Sequence, residues 1–287
     1  MRFRTRRVGG RRGGSPLGLL GGRGGGSLKM RLAIGLVLAA VALFSYFGSS
    51  DTNPITGEAQ RVAMQEEQEV ALGLQSMGEM ARQFGGVSGN RAGQLALEEI
   101  GARLVAAIPA VYPEASQIPW EFSFTLLDDD ATVNAFALPG GPTFMTDALF
   151  DRLRAPDEVA GVMGHEIVHV IQRHGSQRMA KQNLMQGLSG AATAAAGDYS
   201  AGQIAGFVGN FIGMKYGREQ EIQSDLEGLR LMAAAGYDPR GMIRVMEVLQ
   251  EASGGGGGPE WASSHPDPGN RIGLIRAEIE RMGRGVR

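Results

Sequence analysis

Three of the chain's four histidines stand within ten positions, His165, His169 and His174, with Glu166 set between the first two, in the stretch GVMGHEIVHVIQRHG. Pro156, Asp157 and Glu158 form a helix start, with proline at the first position and acids at the positive end of the dipole, and Gly175 supplies a stop. On such a helix His165 and His169, four residues apart, share a face and converge on one ion. Zinc readily takes two imidazole nitrogens. Glu166, beside the first ligand, reaches water at that site as a general base, a task for which Asp is one methylene short. With so few histidines in the chain, a chance HExxH is a weak explanation.

A third ligand must come from elsewhere. The pattern that would recruit another histidine needs Gly and His three and six residues beyond His169, and Gln172 and Gly175 stand there. His174 is therefore expected to be a cation at the helix C-terminus. The segment YGREQEIQSDLEG, residues 216–228, is helical in character and offers Glu219, Glu221, Asp225 and Glu227. Only Glu221 and Asp225 form an acidic pair at i and i+4, one suited to the metal and the other to a histidine N–H. By spacing alone, that reading of Glu221 weighs evenly against an ordinary solvated acidic helix.

The elements that must hold these groups follow from the rest of the sequence. A chain of 287 residues, 43% apolar, is long enough to bury a full core. The absence of cysteine excludes a thiol nucleophile, a thiolate metal site and disulfides. Residues 1–31 carry nine Arg or Lys and no acid, so the remainder bears a net −11 against −2 for the whole chain. The apolar run LAIGLVLAAVALFSYF, residues 32–47, follows this basic tail and reads as an uncleaved membrane anchor in preference to a cleaved signal. The positive-inside rule keeps the tail in the cytoplasm and exports the rest. An Arg/Gly tail can also bind RNA, but Phe3 is its only aromatic residue, and no nucleic-acid partner is expected. Residues 51–287 then form one catalytic domain.

That domain reads as mixed α+β. Helical spacing covers 59–84 and 90–108, with Val62, Val70, Leu72, Leu95, Leu97, Ile100 and Leu104 as core. Residues 121–127 alternate as a half-buried strand, Asp128 to Asp130 turn the chain, and 133–146 give a second strand and a short third. Asn134, Ala135, Phe136 and Ala137 are expected to form an exposed edge on which an extended substrate adds as another strand, the alternative being a plain hairpin. The Ala/Gly-rich stretch 188–214 contains Asp198, Gln203 and Asn210, too polar for a membrane span, and reads as a lid or membrane-surface segment. Gly254 to Gly258 form a hinge.

From about residue 53 to 276 the chain resembles the HtpX-like and CAAX-prenyl-endopeptidase family of gluzincin metallopeptidases, in its branch without several membrane spans. The resemblance rests on NPITGEAQRVAM, NAFALPGG, DEVAGVMGHEIVHVIQRHG, GREQEIQSD and SHPDPGNRI, in that order. Gly217 and Ser224 replace the family's usual Ser and Ala, small for small. The resemblance implies a mainly helical domain with a small mixed sheet whose edge strand borders the metal. It implies one Zn2+ per chain held by His165, His169 and Glu221, Glu166 as catalytic base, Asp225 behind the ligands, and Arg218 and Arg271 in support. His265 becomes a switch that blocks the metal at rest or swings aside to assist turnover. The implied activity is that of a membrane-tethered endopeptidase that hydrolyses unfolded or misassembled envelope proteins in the periplasm. A chaperone or binding factor using the same cleft without turnover is the alternative.

Overall fold

The computed structural model describes residues 28–113, 117–196, 215–253, 265 and 270–284. Helix α1 (Leu28–Gly48) leads into a hairpin of β1 (Ser50–Thr52) and β2 (Ala59–Arg61). Then come α2 (Glu66–Gln83), α3 (Arg91–Ala106) and the single turn α4 (Ile108–Val111). Strands β3 (Ser123–Leu127), β4 (Ala135–Ala137) and β5 (Pro142–Thr146) precede a second single turn, α5 (Asp147–Phe150). The helices α6 (Pro156–Ile171), α7 (His174–Ala196), α8 (Arg218–Ala234), α9 (Gly241–Ser253) and α10 (Arg271–Arg284) complete the described chain. It is mainly helical with small sheets.

The larger sheet has the order β3-β5-β4, with β3 parallel and β4 antiparallel to β5, so it is mixed and β4 lies at its edge. Leu97, Ile100 and Leu104 of α3 are buried against it. Leu95 is 55% exposed, because it falls on the opposite side of α3 from those three. The helix predicted over 59–84 begins later, as residues 59–61 pair with 50–52 and only then does α2 start. Short strand pairing with residues on the far side of a turn is invisible to helical periodicity.

Helix α6 is the centre of the molecule. Every residue from Glu158 to Ile171 is buried, enclosed by α3, α8, α9 and the sheet. Its start is as predicted, with Pro156 in the first turn followed by Asp157 and Glu158. Close packing on α8 is possible because Gly164 faces Gly228, where a Cβ would stand 3.2 Å from the His165 nitrogen.

The predicted stop at Gly175 is displaced. The helix ends at Gln172, and Arg173 takes a left-handed φ of 55°, after which α7 restarts at His174 with Gly175 inside it. This strained residue is held by its own side chain. The Arg173 guanidinium is fully buried and meets Glu69 at 3.0 Å, Asp51 at 2.9 Å, Glu66 at 2.7 Å and the Met64 carbonyl at 2.7 Å. Burying a charge is tolerable only with such complete pairing. The result fixes the α6–α7 corner to β1 and α2.

Candidate metal centre

His165 and His169 project from the one face of α6 that meets the start of α8, where Glu221 and Asp225 lie one turn apart. Nε2 of His165 and Nε2 of His169 are 3.0 Å apart. Glu221 approaches the first at 3.6 Å and the second at 3.5 Å. His265 Nδ1 stands 3.3 Å from His165 Nε2 and donates to Glu221 Oε1 at 3.0 Å; on losing that proton it would serve a metal as a fourth ligand. One donor atom from each of these four buried residues lies within 4.8 Å of all the others. Two nitrogens bound tetrahedrally to zinc at its usual 2.0–2.1 Å stand about 3.3 Å apart, so the donor set has the size of a zinc site.

The proton positions make the same case independently. Asp225 Oδ1 lies 3.0 Å from His165 Nδ1 and can only accept, which places a proton on Nδ1 and turns Nε2 toward the cluster. Gln223 donates to Glu227 at 3.0 Å and so turns its carbonyl to His174 Nε2, 3.2 Å away. His174 therefore carries its proton on Nε2, and its Nδ1 accepts from His169 Nδ1 at 2.9 Å. His169, which burial keeps neutral, then turns an unprotonated Nε2 toward the cluster. The two Nε2 atoms thus meet 3.0 Å apart beside Glu221, a spacing that suits two ligands of one cation.

Charges around the cluster are matched. Arg271, the first residue of α10, donates twice to Asp225 at 2.7 Å and stands 3.2 Å from Glu221 Oε2. Burial would raise the carboxyls of Glu221 and Asp225, but His265 and Arg271 respectively outweigh it and hold both below the usual carboxylate range. Burial pushes the His169 imidazole well below its ordinary value, and neighbouring His165 and His174 push it further. For His265 burial acts downward, yet Glu221 and Glu166 outweigh it and raise its pKa. Glu166 is fully buried, with Oε1 3.6 Å from His265 Nε2.

Of the residues singled out from the sequence, the structure brings together His165, Glu166, His169, Glu221, Asp225, His265 and Arg271. Arg218 is not among them. It opens α8 as an exposed residue on the wall of a large cavity, on the side of the first turn away from buried Glu221. Strand β4 is the sheet edge, as expected, and its side chains are packed away. Asn134, Ala135 and Ala137 are buried, and Phe136 stacks between Phe84 and Phe144 at 5.2 and 5.0 Å. The strand does border the site, since Ala137 and Leu138 share a small cavity with His169 and Tyr216.

His174 corrects a second expectation. It is not a helix-terminal cation but a buried base whose pKa burial lowers to about 4. Sequence spacing hid its role, because the break at Arg173 rotates His174 back onto the His169 ring. Tyr216, also unpredicted, lies against His169 with ring centroids 3.9 Å apart. The pentaglycine hinge falls outside the described residues, as does the Ala/Gly-rich stretch beyond Ala196.

Comparison with known proteins agrees with this geometry. The mitochondrial metalloendopeptidase OMA1 of Schizosaccharomyces pombe is 33% identical over 159 residues, 55% of this chain and 46% of that protein. The beta-barrel assembly-enhancing protease of Escherichia coli K12 is 29% identical over 197 residues, 65% of this chain and 39% of that protein. OMA1 of Arabidopsis thaliana is 31% identical over 170 residues, 55% of this chain and 31% of that protein. The chain thus spans less than half the length of these curated relatives. Residues 92–279, which contain the whole cluster, match the family described as Peptidase family M48, and the chain belongs to that family of metallopeptidases.

Proposed function

We propose that this protein is a membrane-tethered zinc endopeptidase that hydrolyses unfolded or misassembled proteins of the cell envelope. The observation that carries the reading is the pair of histidine Nε2 atoms that converge beside Glu221, with Glu166 one residue from the first of them. His165, His169 and Glu221 would hold the metal, and Asp225 and His174 fix the proton positions of the two histidines. When bound, zinc supplies Lewis acidity to the scissile carbonyl and lowers the pKa of water.

The chain's own groups do the rest. Glu166 takes the proton of the attacking water and delivers it to the leaving amine, which leaves the carboxylate as it began. The backbone of Asn134, Ala135, Phe136 and Ala137 at the sheet edge aligns an extended substrate by main-chain hydrogen bonds, a mode with little sequence preference. His265 closes the donor set at rest, and its withdrawal opens the place where substrate binds. Helix α1 is long and apolar enough to span a membrane, with a mean hydropathy of 2.0, and the basic residues before it orient the domain toward the periplasm. The name of the Escherichia coli relative, a protease that enhances beta-barrel assembly, supports an envelope setting.

The closed set of four donors favours one other reading, a metal-stabilised chaperone that binds such chains without cutting them. Glu166 argues against it, because a carboxylate with no exposed surface is costly to keep where no proton needs moving. The full-length protein in detergent, stripped by a chelator and reloaded with zinc, distinguishes the two. Loss and recovery of casein cleavage supports the peptidase; zinc-dependent casein binding with no fragments supports the chaperone.

A further inference from the structure

Helix α1 is not a detached anchor. It lies along α7, the helix that continues directly from the metal-bearing α6. Gly187 of α7 sits where its Cβ would meet Ala42 Cβ at 2.7 Å, and Gly35 of α1 where its Cβ would meet the Ala191 carbonyl and Ala195 Cβ, both at 2.8 Å. As numbering rises along α7 from 187 to 195 it falls along α1 from 42 to 35, so the two helices run antiparallel, side by side. Gly35 is the buried residue of α1. Leu36, Val37, Val41, Phe44 and Phe47 face outward, Phe44 at 82% and Leu36 at 74% exposure.

Depth follows from register. Thirteen residues separate Gly35 from Gly48 at the domain end of α1, about 20 Å at 1.5 Å per residue. If α1 crosses a bilayer whose apolar core is about 30 Å thick, whatever packs beside Gly35 lies well inside it. Ala191 and Ala195 pack there. The composition of α7 changes at the corresponding place: Lys181 is its last charged residue, and Gly187–Ala196 reads GLSGAATAAA, the small-residue content through which helices approach closely in lipid. A separate feature marks the boundary. Tyr46 and Phe47 lie 5.5 and 5.1 Å from the Arg61 guanidinium carbon, and Arg178, Lys181 and Lys215 line the same cavity as Tyr46. Aromatic and basic side chains gathered at one level are the mark of a lipid headgroup region.

We propose that α7 is a second membrane-embedded helix, its Gly187–Ala196 end inserted in the bilayer against α1. The inference rests on the reading of α1 as a membrane span. It places the catalytic cluster at a fixed height above the membrane: Asn183 shares a groove with Tyr46, and nine residues of helix, about 14 Å, separate it from His174. The site therefore serves substrate segments held close to the membrane surface.

The absence of cysteine makes a direct test possible. Single cysteines are placed in the full chain at Lys181, Gly190, Ala192 or Leu36, and opened membrane fragments, accessible from both faces, are treated with a charged maleimide. Gly190 has open space for the new side chain, and Ala192 and Leu36 are exposed, so all three tolerate it. Lys181→Cys is expected to label fully, whereas Gly190→Cys, Ala192→Cys and Leu36→Cys label less than a tenth as much until the membrane is dissolved in SDS. Full labelling of Gly190→Cys and Ala192→Cys beside a protected Leu36→Cys would overturn the inference and leave the tether intact. Full labelling of all four would overturn both.

Discussion

His174 Nδ1 accepts a hydrogen bond from His169 Nδ1 at 2.9 Å, and through this bond a residue outside the HExxH motif decides which nitrogen of His169 faces Glu221 and His165. Behind it stand Gln223 and Glu227, and Glu227 is itself held by Gln172 at 2.7 Å and by the Tyr112 hydroxyl. Loss of such a partner behind a histidine ligand typically weakens metal binding by about 10- to 100-fold. His174→Ala is expected to lose zinc affinity in that range, read by competition with a fluorescent chelator. His174→Gln, which can still offer an acceptor, should recover part of the loss. Equal recovery by His174→Leu would mean that His174 acts only by filling space.

Arg173 joins the corner between α6 and α7 to three carboxylates and a carbonyl while holding a left-handed backbone. Arg173→Met removes the charge and strands Glu69, which is buried and also accepts from Trp120 at 3.0 Å. Breaking a buried pair from one side costs about 3–5 kcal/mol. Urea unfolding of the metal-free protein should show a loss of that order. The combined change Arg173→Met with Glu69→Gln should be milder than the single one, because no buried charge of that pair is left without its partner.

Much of this site was legible in the sequence for a simple physical reason. His165, Glu166 and His169 lie on one helix, where spacing fixes direction, and Glu221 with Asp225 obey the same rule on another. What spacing cannot carry is the turn that joins helices. The left-handed Arg173 ends α6 before Gly175 and makes His174 a buried base, and no local propensity marks an arginine for that conformation. Its partners at Asp51, Glu66 and Glu69 are more than a hundred residues away in sequence, so the clamp exists only in the folded chain. The edge expected of Asn134 to Ala137 is present, but spacing did not show how its side chains pack. Helix α6 packs on one side of the strand, and Phe84 and Phe144 cover the other. Leu95 was assigned by helical spacing and Arg218 by the family resemblance, and both lie on outward faces.

His265 stands where it would fill a coordination place that a peptidase needs open. His265→Ala is expected to raise basal casein cleavage and self-cleavage several-fold over the wild type, with zinc content unchanged. A fall in turnover at full zinc occupancy would show instead that His265 supports the developing oxyanion, and that the resting site is open without it.

The central claim is that Glu166 moves the proton in peptide-bond hydrolysis at a metal held by His165, His169 and Glu221. Glu166→Gln keeps the side chain's size and leaves every donor of the cluster in place. The decisive measurement is zinc content and casein cleavage on the same purified preparation of wild type and Glu166→Gln. The expected result is equal zinc, one per chain, with cleavage lowered by about two to four decades. Equal zinc with equal cleavage would contradict the assignment of Glu166 as the base.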